Sequence, residues 1–482
     1  MARPRPFRVI IIGGGLVGLT AAHVFSKAGI EFLVLEKHDT LFSTRGSTLA
    51  LWPQSFRIFD QLGLLDAVQP ILDRAETVFI MSVENAQIWT KDKTPDLIEK
   101  NHGYGIRITH RPEMVKFLYE SLPDVAKAQI LPNKTATNIV ISEQGVTVFC
   151  GDGTSHEGSI VIGADGVRSH TRLLMRAIQD RKQPDNLSEV HKSPYIATYR
   201  VYFGVCPVLA GLAANARYDG AGDGVSTQIV NGTNRAWFGL YEKLDNPTSQ
   251  RRRYGDADKE AIIRRWGSLY MAPGWKFRDV NEYRIGETGL IDLEEGLIDK
   301  WFHHRIVLVG DAVRKLEPHA GLGYNSGITD LVVLVNGLRH LLQVNESPTA
   351  QELDELFRTY QTEREVDSQE MAKISMRSAR ILAWPTWRYK MLATYAQPYL
   401  PLTKFNINYT LGPLISRTPV LEWIDEGPIP TSVIPWRSHP GPQAKGNTIK
   451  EVRFPILQSI AVLVVTLLIA SLFGQVGSKG RE

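Results

Sequence analysis

The 482-residue chain balances 55 Lys and Arg against 51 Asp and Glu, for a formal net charge of +4, and 43% of its residues are hydrophobic. This is material for a large core shared by two or more structural units, and neither a single-sign field nor a Lys/Arg run interleaved with stacking aromatics points to nucleic acid. Cys150 and Cys206 lie in no C-x-x-C or zinc-ligand spacing. No metal site is therefore expected, a reducing compartment is, and any redox chemistry has to come from a bound cofactor.

In chain order, Arg3, Arg5 and Arg8 are followed by no signal-peptide core, so no secretory targeting is expected. The β-branched run Arg8–Ile12 predicts a buried strand, Leu16–Ala28 a helix stopped by Gly29, and Glu31–Leu35 a second strand. Strand, tight turn, helix and strand make the βαβ unit of a dinucleotide-binding fold. Its turn, Gly13-Gly14-Gly15-Leu16-Val17-Gly18, contains G-x-G-x-x-G. Gly13 permits the turn, Gly15 lets a pyrophosphate approach the backbone, and Gly18 lets helix and strand pack closely, with the helix N-terminus favouring the phosphate charge. Glu36, ending the second strand, is placed to accept hydrogen bonds from ribose hydroxyls. FAD and NAD remain equally open on these residues alone.

Further along, residues 139–150 and 159–164 read as strands, 195–242 as a Tyr-, Val-, Phe- and Trp-rich β insertion, and 306–309 as a buried strand. Residues 353–382 read as a charged helix, 384–409 as an aromatic stretch, and the Pro-rich 426–446 as a linker. Residues 454–473 carry no charge, and about 20 apolar residues suffice to cross a bilayer core as a helix. A transmembrane helix is expected over 454–474. Lys445, Lys450 and Arg453 before it, against Lys479 and Arg481 after it, place the large domain on the cytoplasmic side of a single-pass membrane protein, with the endoplasmic reticulum as the expected membrane.

Gly163-Ala164-Asp165-Gly166-Val167-Arg168-Ser169 follows one apolar strand, and Gly310-Asp311 follows another. Taken alone, each aspartate reads equally well as a turn residue capping a helix. With the glycine-rich turn, the three motifs in this order resemble the flavin monooxygenases related to para-hydroxybenzoate hydroxylase, over about residues 7–345. The resemblance implies FAD as cofactor, with Asp311 on the ribityl hydroxyls, Asp165 near the pyrophosphate, and Arg111 and Ala50 along the FAD. It also implies that the segment Pro318 to Asp330 opens a helix, through Gly323 and Tyr324, whose N–H groups face the flavin pyrimidine. Two positions depart from the family: Arg314 stands where a histidine is common, and Tyr324 where a small residue is.

The implied fold is α/β: an FAD domain (1–190 and 291–345) with an inserted β-rich substrate domain (191–290), a C-terminal helical region (346–425), a linker (426–453) and the transmembrane helix. Leu35-Glu36-Lys37, Gly310-Asp311-Ala312-Val313, Tyr241-Glu242-Lys243-Leu244-Asp245 and the apolar C-terminus look most like the fungal membrane-bound epoxidases of indole-diterpene and meroterpenoid biosynthesis. That resemblance implies NADPH as reductant, O2 as co-substrate, and epoxidation of a prenyl olefin on an apolar substrate delivered from the membrane. Arg200 and Tyr241 are the candidates for substrate or flavin gating, each weighed against a buried or salt-bridged structural role. Aromatic hydroxylation of a phenolic or polyketide substrate and a non-catalytic membrane flavoprotein are the alternatives. A halogenase is disfavoured by the lack of W-x-W-x-I-P, and a Baeyer–Villiger enzyme by the single G-x-G-x-x-G.

Overall fold

Val9, Ile10 and Ile11 are completely buried and Ile12 nearly so, which a strand of consecutive apolar residues achieves only in a parallel sheet covered on both faces. The computed structural model, which describes residues 6–42, 46–181, 192–396 and 402–439, has that sheet. Its strand order is Phe302–His303, Ile306–Leu308, Ile160–Gly163, Arg8–Ile12, Glu31–Leu35 and Ile130–Leu131. All neighbours are parallel except the first pair. The helix Leu16–Ala28 returns over it and ends at Gly29, whose φ of 66° lets its N–H reach back to the last carbonyls.

A second, eight-stranded sheet runs Arg314–Lys315, Ile285–Leu297, Lys192–Cys206, Ala236–Gln250, Val225–Asn231, Ala216–Ala221, Thr77–Ser82 and Ile88–Asp92. The inserted domain expected over 191–290 is therefore wider than the sequence suggests. It recruits two strands from within the first 100 residues and two from beyond 284, because strand pairing across such separations leaves no local pattern. Alternation along its central strands sorts the side chains onto two faces. Tyr202, Phe238 and Leu240 pack with Ile262, Phe277 and Val280 of the helices Asp256–Trp266 and Phe277–Glu282. Tyr199, Val201, Tyr241 and Leu293 face the other way, onto Ala383 of a long helix.

That helix, Ala350–Ala383, starts with a reciprocal cap in which Thr349 Oγ1 accepts from Glu352 N at 3.2 Å and the Glu352 carboxylate accepts from Thr349 N at 2.8 Å. It packs on Gly323–Val344, across a face of the eight-stranded sheet and against the edge strand Phe302–His303 of the other, joining the two halves. Between these helices lies a buried ion cluster. Asp330 is paired with Arg314 and, at 3.0 Å, with Arg364, all three side chains 2% exposed or less.

The linker expected from residue 426 is not free chain over its described part. Glu426 pairs with Arg57 at 2.6 Å with both side chains buried, the Arg57 guanidinium lies 4.4 Å from the Trp436 ring, and Trp436 Nε1 donates to His102 O at 3.2 Å. Low periodicity here marks a strap that follows the surface of other elements rather than a flexible tether. Of the aromatic stretch, Trp384 is buried and stacks on Trp89, whereas Trp387 is 70% exposed and Tyr395 65%. No helix among the described residues is long and apolar enough to cross a membrane, and the expected span over 454–474 lies outside them.

Candidate active site

Gly13 enters the turn with φ of 112°, a conformation that glycine adopts without strain, and a Cβ there would lie 2.6 Å from Ala164 O. A Cβ on Gly18 would lie 1.9 Å from Gly13 O, so helix and turn touch backbone to backbone. Gly15 differs. Its φ is −79°, and nothing stands within 4 Å of where a Cβ would be. The space in front of it belongs to a cavity of about 730 Å³ whose floor is this turn and the N-terminus of Leu16–Ala28.

The other expected residues line the same cavity: Glu36, Ala50, Arg111, Asp165, Asp311, Gly323 and Tyr324. Glu36, 8% exposed, is held by Gly14 N at 2.7 Å and His38 N at 2.9 Å, which fixes a carboxylate at the strand end. Asp165 accepts from Thr171 N and Oγ1 at 2.9 and 3.0 Å through one oxygen, while its other carboxylate oxygen is buried without a partner. Asp311 receives Lys315 Nζ at 2.6 Å. The Tyr324 hydroxyl is bonded to Thr20 Oγ1 at 2.8 Å, and burial pushes its pKa up, so it remains protonated. Arg314, the other departure, turns away into the Asp330 cluster, where Ser326 Oγ accepts from its Nε at 2.9 Å.

Lys37, Arg111, Lys134, Arg168 and Lys315 line the cavity together with the carboxylates Glu36, Asp39, Asp165 and Asp311, so cations able to meet a diphosphate stand among acids able to meet hydroxyls. His170, also on the wall, is pushed down by burial, with Lys37 adding to the shift and Asp165 opposing it. The residues fit FAD on three observations: the open space at Gly15, the orphaned Asp165 oxygen, and carboxylates at two strand ends where ribose and ribityl hydroxyls would sit.

One residue that sequence reasoning passed over locks the site. Asn325 Oδ1 accepts from Trp52 N at 2.8 Å and Ser55 Oγ at 2.7 Å, while its Nδ2 donates to Ala50 O and Gly321 O at 2.9 and 2.8 Å. Trp52 Nε1 adds a bond to Ala320 O at 3.1 Å. The loop Pro318 to Gly321 is thereby bolted to the strand Thr48–Leu51 across the cavity.

The two gating candidates separate. Tyr241 faces this loop, its ring centroid 4.0 Å from that of His319. Arg200, one position out of phase, points to the opposite face of the sheet, in the salt-bridged setting weighed for it above. There Glu242 accepts from its Nε at 2.7 Å and also pairs with Arg265 and Trp266. It is part of a structural ion cluster. The residues that accompany Tyr241 are instead Tyr199, Glu317 and His319, of which Glu317 is 1% exposed and His319 7%. The signal was in Glu317-Pro318-His319, where a carboxylate two residues from an imidazole curls back on it.

A dinucleotide cradle opposite a β-sheet face, joined by a bolted loop, defines a flavoprotein that can present an oxidisable small molecule to its cofactor. The FAD binding domain family matches residues 7–192 and 268–375. The FAD-dependent monooxygenase srdH of Neurospora crassa is 35% identical over 375 residues, 75% of this chain and 83% of its own. The FAD-dependent monooxygenase spyC of Aspergillus fumigatus is 31% identical over 408 residues, 83% of this chain and 84% of its own. Among solved structures, HpxO of Klebsiella pneumoniae with FAD and uric acid superposes with a TM-score of 0.68 at 18% identity, over 84% of this chain and 97% of its own, a likeness of fold. The chain belongs to the FAD-dependent monooxygenases, and it is an oxidoreductase that binds FAD.

Proposed function

We propose that the protein uses NADPH and O2 to epoxidise a prenyl olefin of a terpenoid or meroterpenoid intermediate in fungal secondary metabolism. The observation that carries this reading is the buried apolar cluster on the sheet face next to the bolted loop: Val201, Phe203, Leu293 and Ala383 with the rings of Tyr199 and Tyr241. Burial pushes the pKa of both tyrosines up, so their hydroxyls stay protonated and the cluster itself carries no charge, which suits a neighbouring apolar chain. Bound FAD supplies the two-electron chemistry that activates O2. The residues of this chain hold the olefin against the flavin edge and keep water away from it. Fungal relatives support the metabolic setting. We further propose a tether to the endoplasmic reticulum membrane by residues 454–474, on their uncharged sequence.

Aromatic hydroxylation is the second reading, favoured by one observation, the Glu317–His319 pair, since a ring oxygenation gains from removing a phenolic proton. Incubating the purified, FAD-loaded protein with NADPH, air and a farnesylated arene separates the two. A gain of one oxygen on the prenyl chain supports epoxidation, oxygen on the ring supports hydroxylation, and unchanged arene with no substrate-stimulated NADPH consumption overturns both.

A further inference from the structure

The aromatic stretch that follows the long helix has two unlike sides. Trp387–Met391 and Leu392–Ala396 form one continuous helical segment, in which residues four apart share a side. Trp387, Met391 and Tyr395 stand at that spacing and are exposed together, and Trp387 and Tyr395 are the most exposed aromatic side chains among the described residues. Single exposed apolar residues are ordinary, whereas three in register on one short segment form a stripe that calls for an occupant. The opposite side is buried. Ala393 packs with Leu382, Trp384 and Ala221, and Tyr389 is half-buried and close enough to Tyr199 to influence its ionisation. Ala221 lies in one row with Ser226 and Tyr241, so the segment covers the end of the sheet face that carries Tyr241.

Three observations favour a lipid bilayer as the occupant. Tryptophan and tyrosine rings settle at the headgroup level of a membrane, where one edge is apolar and the other wet, and methionine between them adds apolar surface. The charges around the stripe are the second observation. Arg377, Arg388 and Lys390 are exposed, with the Arg388 guanidinium 5.8 Å from the Trp387 ring. The acids near them are Asp223, which pairs with Lys390 at 2.8 Å, and Glu84. Pairing between exposed charges is weak, so Lys390 can exchange Asp223 for a headgroup phosphate. The third is reach. Ser438 Oγ donates to Arg417 O at 3.4 Å, and Arg417 pairs with Asp367, which lies about 24 Å along the long helix from Ala383. Residues 440–453 extend to at most about 50 Å, enough for the uncharged residues 454–474 to enter a bilayer on which the stripe rests.

We propose that Trp387, Met391 and Tyr395 form an interfacial contact that lies on an anionic bilayer and turns the Tyr241 face of the sheet towards it. The segment is one helix thick, about 10 Å, so an apolar compound dissolved in the lipid comes that close to the sheet. The inference deepens the tether reading and rests on it for the presence of the membrane: the tether holds the chain nearby, and the stripe fixes which side faces the lipid.

The test maps depth on the FAD-loaded full chain. Cys150 and Cys206 are buried, so an environment-sensitive dye on Met391→Cys, or on Val125→Cys at the exposed surface of the FAD domain as control, reports a single position. Each protein is mixed with vesicles of phosphatidylcholine and phosphatidylserine that carry a spin-labelled lipid. The dye at 391 should shift to the blue and be quenched several times more strongly than the dye at 125. Adding Trp387→Glu and Tyr395→Glu to Met391→Cys should remove that difference with FAD content unchanged, since neither ring is part of the core. Resistance of the vesicle-bound protein to alkaline carbonate reports the tether separately. Protein that resists carbonate while its two dyes are quenched alike keeps the tether and overturns the stripe, whereas strong quenching at 391 in protein that carbonate releases keeps the stripe and overturns the tether. Absence of any vesicle binding overturns both. A blue shift at 391 that grows with protein concentration in vesicle-free detergent gives the stripe to a second copy and overturns the proposal, as does quenching that survives the double glutamate substitution.

Discussion

The FAD cradle and the sheet face opposite it are built in different ways. At the cradle, backbone geometry governs: Gly13, Gly15 and Gly18 lie within six residues, and each is required by a close approach or by open space. At the sheet face, side chains from three separate segments, Tyr199, Tyr241 and Glu317 with His319, converge through strand alternation and one short loop. The comparison teaches that a cofactor site written in backbone turns tolerates almost no substitution, whereas a substrate site written in side chains can be retuned without disturbing the fold.

Four substitutions sharpen that contrast, and the most severe concerns Gly18. A methyl group there would meet Gly13 O at 1.9 Å, and the obstacle is backbone that cannot swing aside. Gly18→Ala should give protein without flavin absorbance, whether by misfolding or by collapse of the turn. Asp330→Asn strikes the joint between the two regions by leaving Arg314 buried without a counter-charge and Arg364 with only Asp367 at 3.6 Å. It should cost about 3–5 kcal/mol in urea unfolding, the cost of breaking a buried pair from one side.

The strap over residues 426–439 offers a pH test. Burial lowers the pKa of His102, against Trp436, to about 4, below its ordinary 6.5. Between those values the unfolded chain binds a proton that the folded one refuses, so stability is full above pH 6.5 and falls as pH drops towards 4. The loss should be about 3 kcal/mol at the lower end. His102→Phe should flatten that slope in denaturation curves taken across the window. Smallest is Glu36→Gln, which keeps the shape but removes the charge that accepts from Gly14 N and His38 N. FAD affinity should fall roughly ten- to a hundredfold, as expected for hydrogen bonds to a charged group. An unchanged dissociation constant would detach Glu36 from the cofactor.

The cradle was legible because its signals are short-range: a β-branched run, glycines at fixed offsets, an acid at the strand end. Asp165 and Asp311 were legible only through the order of motifs, since either alone is an ordinary turn residue. The sheet face was not legible. Tyr241 and Arg200 sit on neighbouring strands and look alike as candidates, yet in the antiparallel register Arg200 lies opposite Glu242 and Tyr241 opposite Val201, which sends them to different faces. A one-residue phase difference decides this, and sequence reading carries no phase reference without the partner strand. Asp330 and Arg364 escaped notice for the same reason: their ion pair spans two helices.

The most direct test of the central claim is the FAD content of Gly15→Val. Nothing in the protein occupies the space a side chain would take at Gly15, and its φ of −79° suits any residue. The account predicts a variant that unfolds in urea like the FAD-free wild type yet takes up no FAD, because only the cofactor's pyrophosphate competes for that space. A folded Gly15→Val protein holding a full equivalent of FAD would contradict the placement of the cofactor in this cavity.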